Sequence, residues 1–253
     1  MSRHAWILLA LLLPASLHAQ VDIESLRREG ATEGVTGSIG GDLTLKTGNT
    51  DLLQTDLRAR LDWVRGSSTT LLVGEGGVGL LRNKNFSSSG LIHVRHTRWL
   101  GDRVAPEAYA QINYDRPLLL DFRAVVGAGL RLRFDRGDWG DIGAGASIMW
   151  EHERLDLPAG AAHPDGTRRF RNSTFVALRL VGGESLVVTS TAYLQPALDD
   201  IGDLRVLENL GVAASITDRL ALTVTFDLRY DSGPPDGLAA LDTRLKTGLT
   251  FSY

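Results

Sequence analysis

From Gly34 to the C-terminus, apolar and polar residues alternate one by one, in segment after segment. A period of two places successive side chains on opposite faces of an extended chain. In residues 53–63, Leu53, Leu57, Leu61 and Trp63 hold odd positions, with Thr55 and Ala59 between them. Gln54, Asp56, Arg58, Arg60 and Asp62 hold the even ones. A helix would mix the two sets on every face, whereas a strand separates them. Residues 220–230 set Leu220, Leu222, Val224, Phe226, Leu228 and Tyr230 against Thr223, Thr225, Asp227 and Arg229. Residues 241–253 repeat the pattern, with Asp242, Arg244 and Lys246 on the wet face and an aromatic residue, Tyr253, at the end. The chain is built of strands with one greasy and one wet face.

The start of the chain reads as a secretory leader. Arg3 and His4 precede an unbroken apolar run from Ala5 to Leu13. That run is too short to span a bilayer as a helix. Pro14 breaks it, and Leu17-His18-Ala19 offers a cleavage point before Gln20. The expected division is residues 1–19 as signal peptide, 20–33 as a charged periplasmic stub and 34–253 as the folded body. A secreted chain of this pattern points to a bacterial outer-membrane β-barrel. Charged residues at 23% and hydrophobic residues at 43% look like a soluble protein. In a transmembrane barrel only alternate residues meet lipid, so such averages are expected. The chain has no Cys, which excludes a disulfide framework, and its net charge of -3 gives no reason to propose nucleic acid as a partner.

The spacing predicts about 12 strands of the 9–11 residue length that a barrel wall needs. They fall near 35–47, 52–64, 69–81, 88–99, 104–115, 122–134, 139–153, 167–180, 185–197, 204–216, 220–230 and 241–253. The third is poorly patterned. In the tenth, Glu208 falls on the lipid side by parity, where an acid is costly; a bulge or a later strand start is the expected remedy. Every second connection is tight and carries turn residues. These lie near Gly66-Ser67, Gly101-Asp102-Arg103, Asp135-Arg136-Gly137, Gly182-Gly183 and Thr217-Asp218-Arg219. The opposite set includes the long segments 154–166 and 231–240. Short periplasmic turns and long outer loops are the asymmetry of an outer-membrane barrel. Outward by parity, Trp63, Phe134 and Tyr253 lie at inner strand ends, and Tyr114, Phe122, Trp150 and Tyr230 at outer ends. Two aromatic levels are the girdles of a membrane barrel. A lipocalin-like soluble barrel, apolar inside and charged outside, is the competing arrangement. The fold class is therefore all-β, a transmembrane antiparallel up-and-down barrel.

The same parity turns one set of charges into the lumen. The candidates lining it are Arg58, Arg60, Glu75, Arg95, Glu107, Arg131, Arg133, Arg179, Asp227, Arg229 and Arg244, with Lys46, Asp56, Asp115, Glu151, Arg171 and Lys246 beside them. Interspersed charges of both signs suit either a water-filled selective path or a network of Arg–carboxylate pairs that fills the bore. Long Arg side chains favour a narrow or partly blocked lumen. Inward Gly76 or Gly77, Gly127, Gly129, Gly143, Gly145 and Gly211 leave room for bulky neighbours, and inward Tyr109, Phe175 and Tyr193 are placed to lie across them.

Catalytic motifs are sparse. A barrel phospholipase needs a Ser activated by an oriented His. His93 points inward and His96 outward, so they share no face. Asp115, Glu151, His152, Glu153, Asp199 and Asp200 supply carboxylates and a His at the rim without a motif. The set His152, Glu151, Glu153 and His163 lacks the ligand spacing of a metal site, and Asp199, Asp200 and Asp203 lack that of an EF-hand. The expectation is no catalytic residues, no metal and no cofactor.

Thr47-Gly48-Asn49-Thr50-Asp51, closing the first hairpin, resembles the TGNT-type turn of the salt-induced outer membrane protein family, domain of unknown function 481. Tyr114-Asp115, then Gly127-Ala128-Gly129-Leu130, resembles that family's YD…GAGLG block, with Arg131 where a further Gly is usual. Leu249-Thr250-Phe251-Ser252-Tyr253 also fits, and the similarity runs from Gly34 to Tyr253. It implies an outer-membrane barrel and carries over no catalytic or ligand-binding residue. Expected partners are outer-membrane lipid and, through the C-terminal strand, the barrel-assembly machinery of a Gram-negative envelope. The function expected is that of a passive envelope barrel or narrow pore with a charged lumen. An outer-membrane hydrolase, or a receptor or adhesin using the two long loops, are the alternatives.

Overall fold

The computed structural model describes residues 33–46, 52–81, 84–183 and 185–252. Twelve strands form: β1 (Gly34–Lys46), β2 (Leu52–Arg65), β3 (Ser68–Leu81), β4 (Lys84–Arg98), β5 (Val104–Asp115), β6 (Leu120–Gly137), β7 (Gly140–Leu155), β8 (Gly166–Gly182), β9 (Leu186–Pro196), β10 (Leu204–Ser215), β11 (Leu220–Asp231) and β12 (Leu241–Ser252). Each pairs antiparallel with its sequence neighbours. β12 returns to β1, where Leu249–Ser252 lies opposite Ser38–Gly41, and the sheet becomes a closed barrel. Closure removes every free edge, which is what lets strands stand in hydrocarbon.

Alternation decides which way each face turns. Leu57 and Leu245 are 61% and 64% exposed, while Arg131 and Arg171 are each only 2% exposed. The apolar face is outside and the charged face inside, the reverse of a lipocalin. Tight turns gather at one rim. Gly66 and Gly101 take φ of +56° and +75° there, values that an L side chain rarely adopts. The long loops gather at the other rim.

Two local expectations need correction, and a third gains a cause. β6 runs to Gly137 and β7 begins at Gly140, so the turn falls at Asp138-Trp139 and not at 135–137. A register shift between Arg133 and Asp135 accommodates the extra strand. The weak pattern of β3 has a cause inside the barrel: Leu71 and Val73 point inward and pack on Leu91 of β4, so apolar groups occupy both faces. Finally, β10 contains no bulge and starts where expected. Its register is unbroken against β9 and β11, and Glu208 does stand on the outer face.

Candidate functional site in the lumen

The lumen is filled unevenly, and strand sequence explains how. Towards the long-loop rim it is crossed by arginines and carboxylates. Glu151 of β7 accepts from Arg171 Nε of β8 and Arg205 Nη1 of β10, each at 2.9 Å, and pairs with Arg123 of β6. Glu153, two residues on, takes Arg205 Nη2 at 2.7 Å and Arg123 Nε at 3.3 Å. Arg205 Nε also meets Asp231 of β11 at 3.0 Å. Arg171 continues to Asp203 at 2.9 Å, and Arg229 pairs with Asp242 at 3.3 Å. Charges this deeply buried persist only when paired and hydrogen-bonded.

Above this network the loops meet. A short 3-10 turn, Arg116–Leu118, tucks Leu118 and Leu120 inward, where Leu155 and Leu238 pack on them. The backbone N–H of His163 donates to Asp236 at 2.8 Å, so the loop after β7 is tied to the loop after β11.

Midway, aromatic rings lie over glycines. Tyr109 covers Gly127 and Phe175 covers Gly145; a side chain at either glycine would run into the ring. Tyr193 packs at a tilt against Phe175 instead, centroids 5.4 Å apart. Tyr109 and Ser147 share a hydrogen bond of 2.9 Å. Arg95 and Arg131 stand over the rings of Tyr109 and Phe175 at 5.4 and 4.9 Å, and reach Glu107 at 4.0 and 3.7 Å. Arg133 pairs with Asp141 at 3.3 Å and covers Trp99.

Towards the tight-turn rim a cavity of about 470 Å³ opens beside β9 to β3. It exists because the inward positions of β9 to β1 are small there: Thr189, Gly211, Ala213, Ala221, Thr223, Gly248, Thr250, Ser38 and Gly40. Arg58, Arg60, Glu75, Arg179 and Arg244 line the same space. Arg58 pairs with Glu75 at 2.6 Å, Lys246 with Asp56 at 3.4 Å, and Arg244 with Asp227 at 3.2 Å. Asp227 also accepts from Asn209 at 2.5 Å.

The lumen candidates thus separate into three groups. Arg58, Arg60, Glu75, Arg179, Asp227 and Arg244 lie at or beside the cavity. Arg95, Glu107, Arg131 and Arg133 belong to the middle layer, and Arg229 to the loop end. Sequence reasoning left Arg123, Glu153, Asp203, Arg205 and Asp231 out of its lumen set. Parity with Asn209 and Gly211 would have turned Arg205 inward, but nothing in spacing names a partner across a bore. The rim set is not brought together. Glu151 and Glu153 point inward, while His152 turns outward, stacked on Trp150 and edge-on to Phe122. Asp199 and Asp203 pair with Arg169. His93 is buried against Gln111, and His96 meets Thr70 on the exposed face.

Among the aromatic candidates, Trp63 and Phe134 stand exposed near the tight-turn rim, and Tyr114 and Tyr230 near the long-loop rim. Phe122 and Trp150 are half-exposed at that second level. Phe170, exposed opposite Trp150, joins them and was missed. Tyr253, the 47–51 motif, the leader and residues 20–32 of the stub lie outside the described residues, as does the side chain of Lys46.

A family model described as "Protein of unknown function, DUF481" matches residues 39–253. The chain belongs to this family. DUF481 membership agrees with the resemblance read from the sequence. No curated protein matches the chain. Among solved structures, the NanC porin is similar at 11% identity and a TM-score of 0.55, over 85% of this chain and 98% of that one. The translocator domain of the autotransporter NalP from Neisseria meningitidis is similar at 11% identity and 0.47, over 89% and 90%. The KdgM porin, in a complex with disordered oligogalacturonate, is similar at 8% identity and 0.44, over 87% and 99%. The likeness to NanC places this DUF481 chain among barrels of outer-membrane type by fold.

Proposed function

We propose that the protein is a passive barrel of the Gram-negative outer membrane, shut at its outer end by its own side chains. The tight turns face the periplasm and the long loops the exterior, following the usual asymmetry of such barrels. Lipid contacts the apolar wall between the two aromatic levels. The alternating C-terminal strand with its last aromatic residue is the segment that the assembly machinery engages. The observation that carries the reading is Arg205, which binds Glu151, Glu153 and Asp231 at once and so closes a chord of the lumen beneath the tied loops. A barrel of this strand number lies between filled small barrels and open porins, and these residues tip it to the filled side. The periplasmic half remains an open, charged vestibule.

Planar-bilayer recording tests this. The mature protein is expected to insert without stable ohmic steps, and Arg205→Ala to produce them. Large steady conductance from the unmodified protein contradicts the reading.

A further inference from the structure

Glu151 and Glu153 of β7 face the lumen, so Trp150, His152 and Arg154 face out. Arg171 of β8 is inward, so Phe170 and Arg168 face out. The register arranges these residues in three rungs. Trp150 lies opposite Phe170, His152 opposite Arg168, and Arg154 opposite Gly166. Across the other edge of β7, Val126, Ala124 and Phe122 of β6 lie opposite Trp150, His152 and Arg154. The first rung belongs to the outer aromatic level, where amphipathic rings mark the edge of the hydrocarbon. The next two stand about 5 and 10 Å higher at the usual strand tilt. That is the depth of the lipid headgroups.

The polar atoms of these rungs are only partly used. Arg168 is exposed and has no acidic partner among the described residues. Arg154 holds Asp121 Oδ2 at 2.6 Å through Nε and Nη2, which leaves Nη1. His152 is stacked on Trp150 and edge-on to Phe122, centroids 6.0 and 6.2 Å away. Its Nδ1–H donates to the backbone carbonyl of Thr167 at 3.1 Å, which leaves Nε2. Arg154 and Arg168 are diagonal neighbours on one face, their Cβ atoms about 7–8 Å apart. Gly166, beside both, puts no side chain into the space above Arg168.

We propose that His152, Arg154 and Arg168 bind a lipid that carries a phosphate monoester, seated in the outer leaflet with its chains against Val126 and Phe170. Two guanidiniums converge on one anion and address its terminal oxygens with charge-assisted hydrogen bonds. A phosphate monoester carries close to two negative charges and three such oxygens at neutral pH. His152 Nε2 accepts from the hydroxyl of its singly protonated form, a group that a diester lacks. Val126 and Phe170, each 55% exposed directly below, give the chains an apolar wall, which favours a lipid over free phosphate. The site rests on the membrane setting and orientation proposed above.

The chain has no Cys, so a single introduced one carries a label at one place. In phosphatidylcholine vesicles holding about 5 mol% of chain-brominated phosphatidate, a fluorophore on Val126→Cys is expected to be quenched about threefold more than with the same fraction of brominated phosphatidylcholine. A fluorophore on Leu57→Cys, outward on β2, is expected to show no such excess. Adding Arg168→Gln, or Arg154→Gln where the former fails to fold, should abolish the excess, and Asp121→Asn should raise it by freeing the fork of Arg154. Heat-dependent gel mobility checks that each variant is a folded barrel. Equal quenching by the two lipids overturns the site, and so does an excess as large at Leu57→Cys or one that survives both glutamine variants. An equal excess with brominated phosphatidylglycerol overturns the choice of a monoester, and loss of the excess to inorganic phosphate in the buffer overturns the choice of a lipid. If a fully brominated bilayer quenches Val126→Cys but phosphatidate gives no excess, the site fails and the membrane reading stands. If even that bilayer does not quench it, the membrane reading fails first.

Discussion

Arg205 of β10 holds two carboxylates of β7 together, Glu151 at 2.9 Å and Glu153 at 2.7 Å, from across two intervening strands. One guanidinium thereby ties distant staves of the barrel and occupies the space between them. Removing it leaves Glu151 with Arg123 and Arg171, but Glu153 with Arg123 alone among these pairs. Breaking a buried network in this way costs about 3–5 kcal/mol. Arg205→Ala is therefore expected to unfold at lower urea in lipid vesicles by that amount, as followed by tryptophan fluorescence. An unchanged midpoint would mean that the network fills space without bearing on stability.

Tyr109 and Gly127 form a ring-on-glycine pair inside the wall. Tyr109→Ala should lower stability by about 3–5 kcal/mol through lost packing. Gly127→Ala should lower it by about 1–3 kcal/mol by forcing the ring aside. The temperature at which heat converts the fast-migrating folded band to the slow one reads both. Equal resistance of Tyr109→Ala and the parent would remove the packing role.

On the outer face, Leu245 is 64% exposed. An arginine there meets hydrocarbon, at about 2–4 kcal/mol near mid-depth. Leu245→Arg is expected to destabilise the barrel in vesicles by that amount. Indifference to this change would mean that the face is wet.

The two long loops are joined by the His163 N–H to Asp236 bond. Asp236→Ala should release the loop after β7, so that proteinase K nicks within 156–165 more rapidly while the barrel core stays protected. An unchanged nicking rate would show that this bond does not restrain the loop.

How much of the fold is legible in sequence follows from what alternation encodes. Parity names a face, so Arg58, Arg131 and Arg244 read as inward and Leu57 as outward from the alternation alone. Strand ends are also readable, because Gly66 and Gly101 mark turns that need their special backbone. Parity does not name partners. The reach of Arg205 to β7 depends on barrel closure, and so does the tie between the two loops. β3 is obscured because its inward Leu71 and Val73 erase the contrast on which the reading depends. Glu208 is legible as an anomaly; an escape through a bulge is the wrong inference, since both neighbouring ladders hold their register.

The most direct measurement uses two adjacent valines of β6. Val125 is 4% exposed and faces the lumen, whereas Val126 is 55% exposed on the outer face. A fluorescent label on Val126→Cys should be strongly quenched by brominated lipid and shielded from aqueous iodide, and a label on Val125→Cys should escape lipid quenching. Equal quenching of the two positions by brominated lipid would contradict the account.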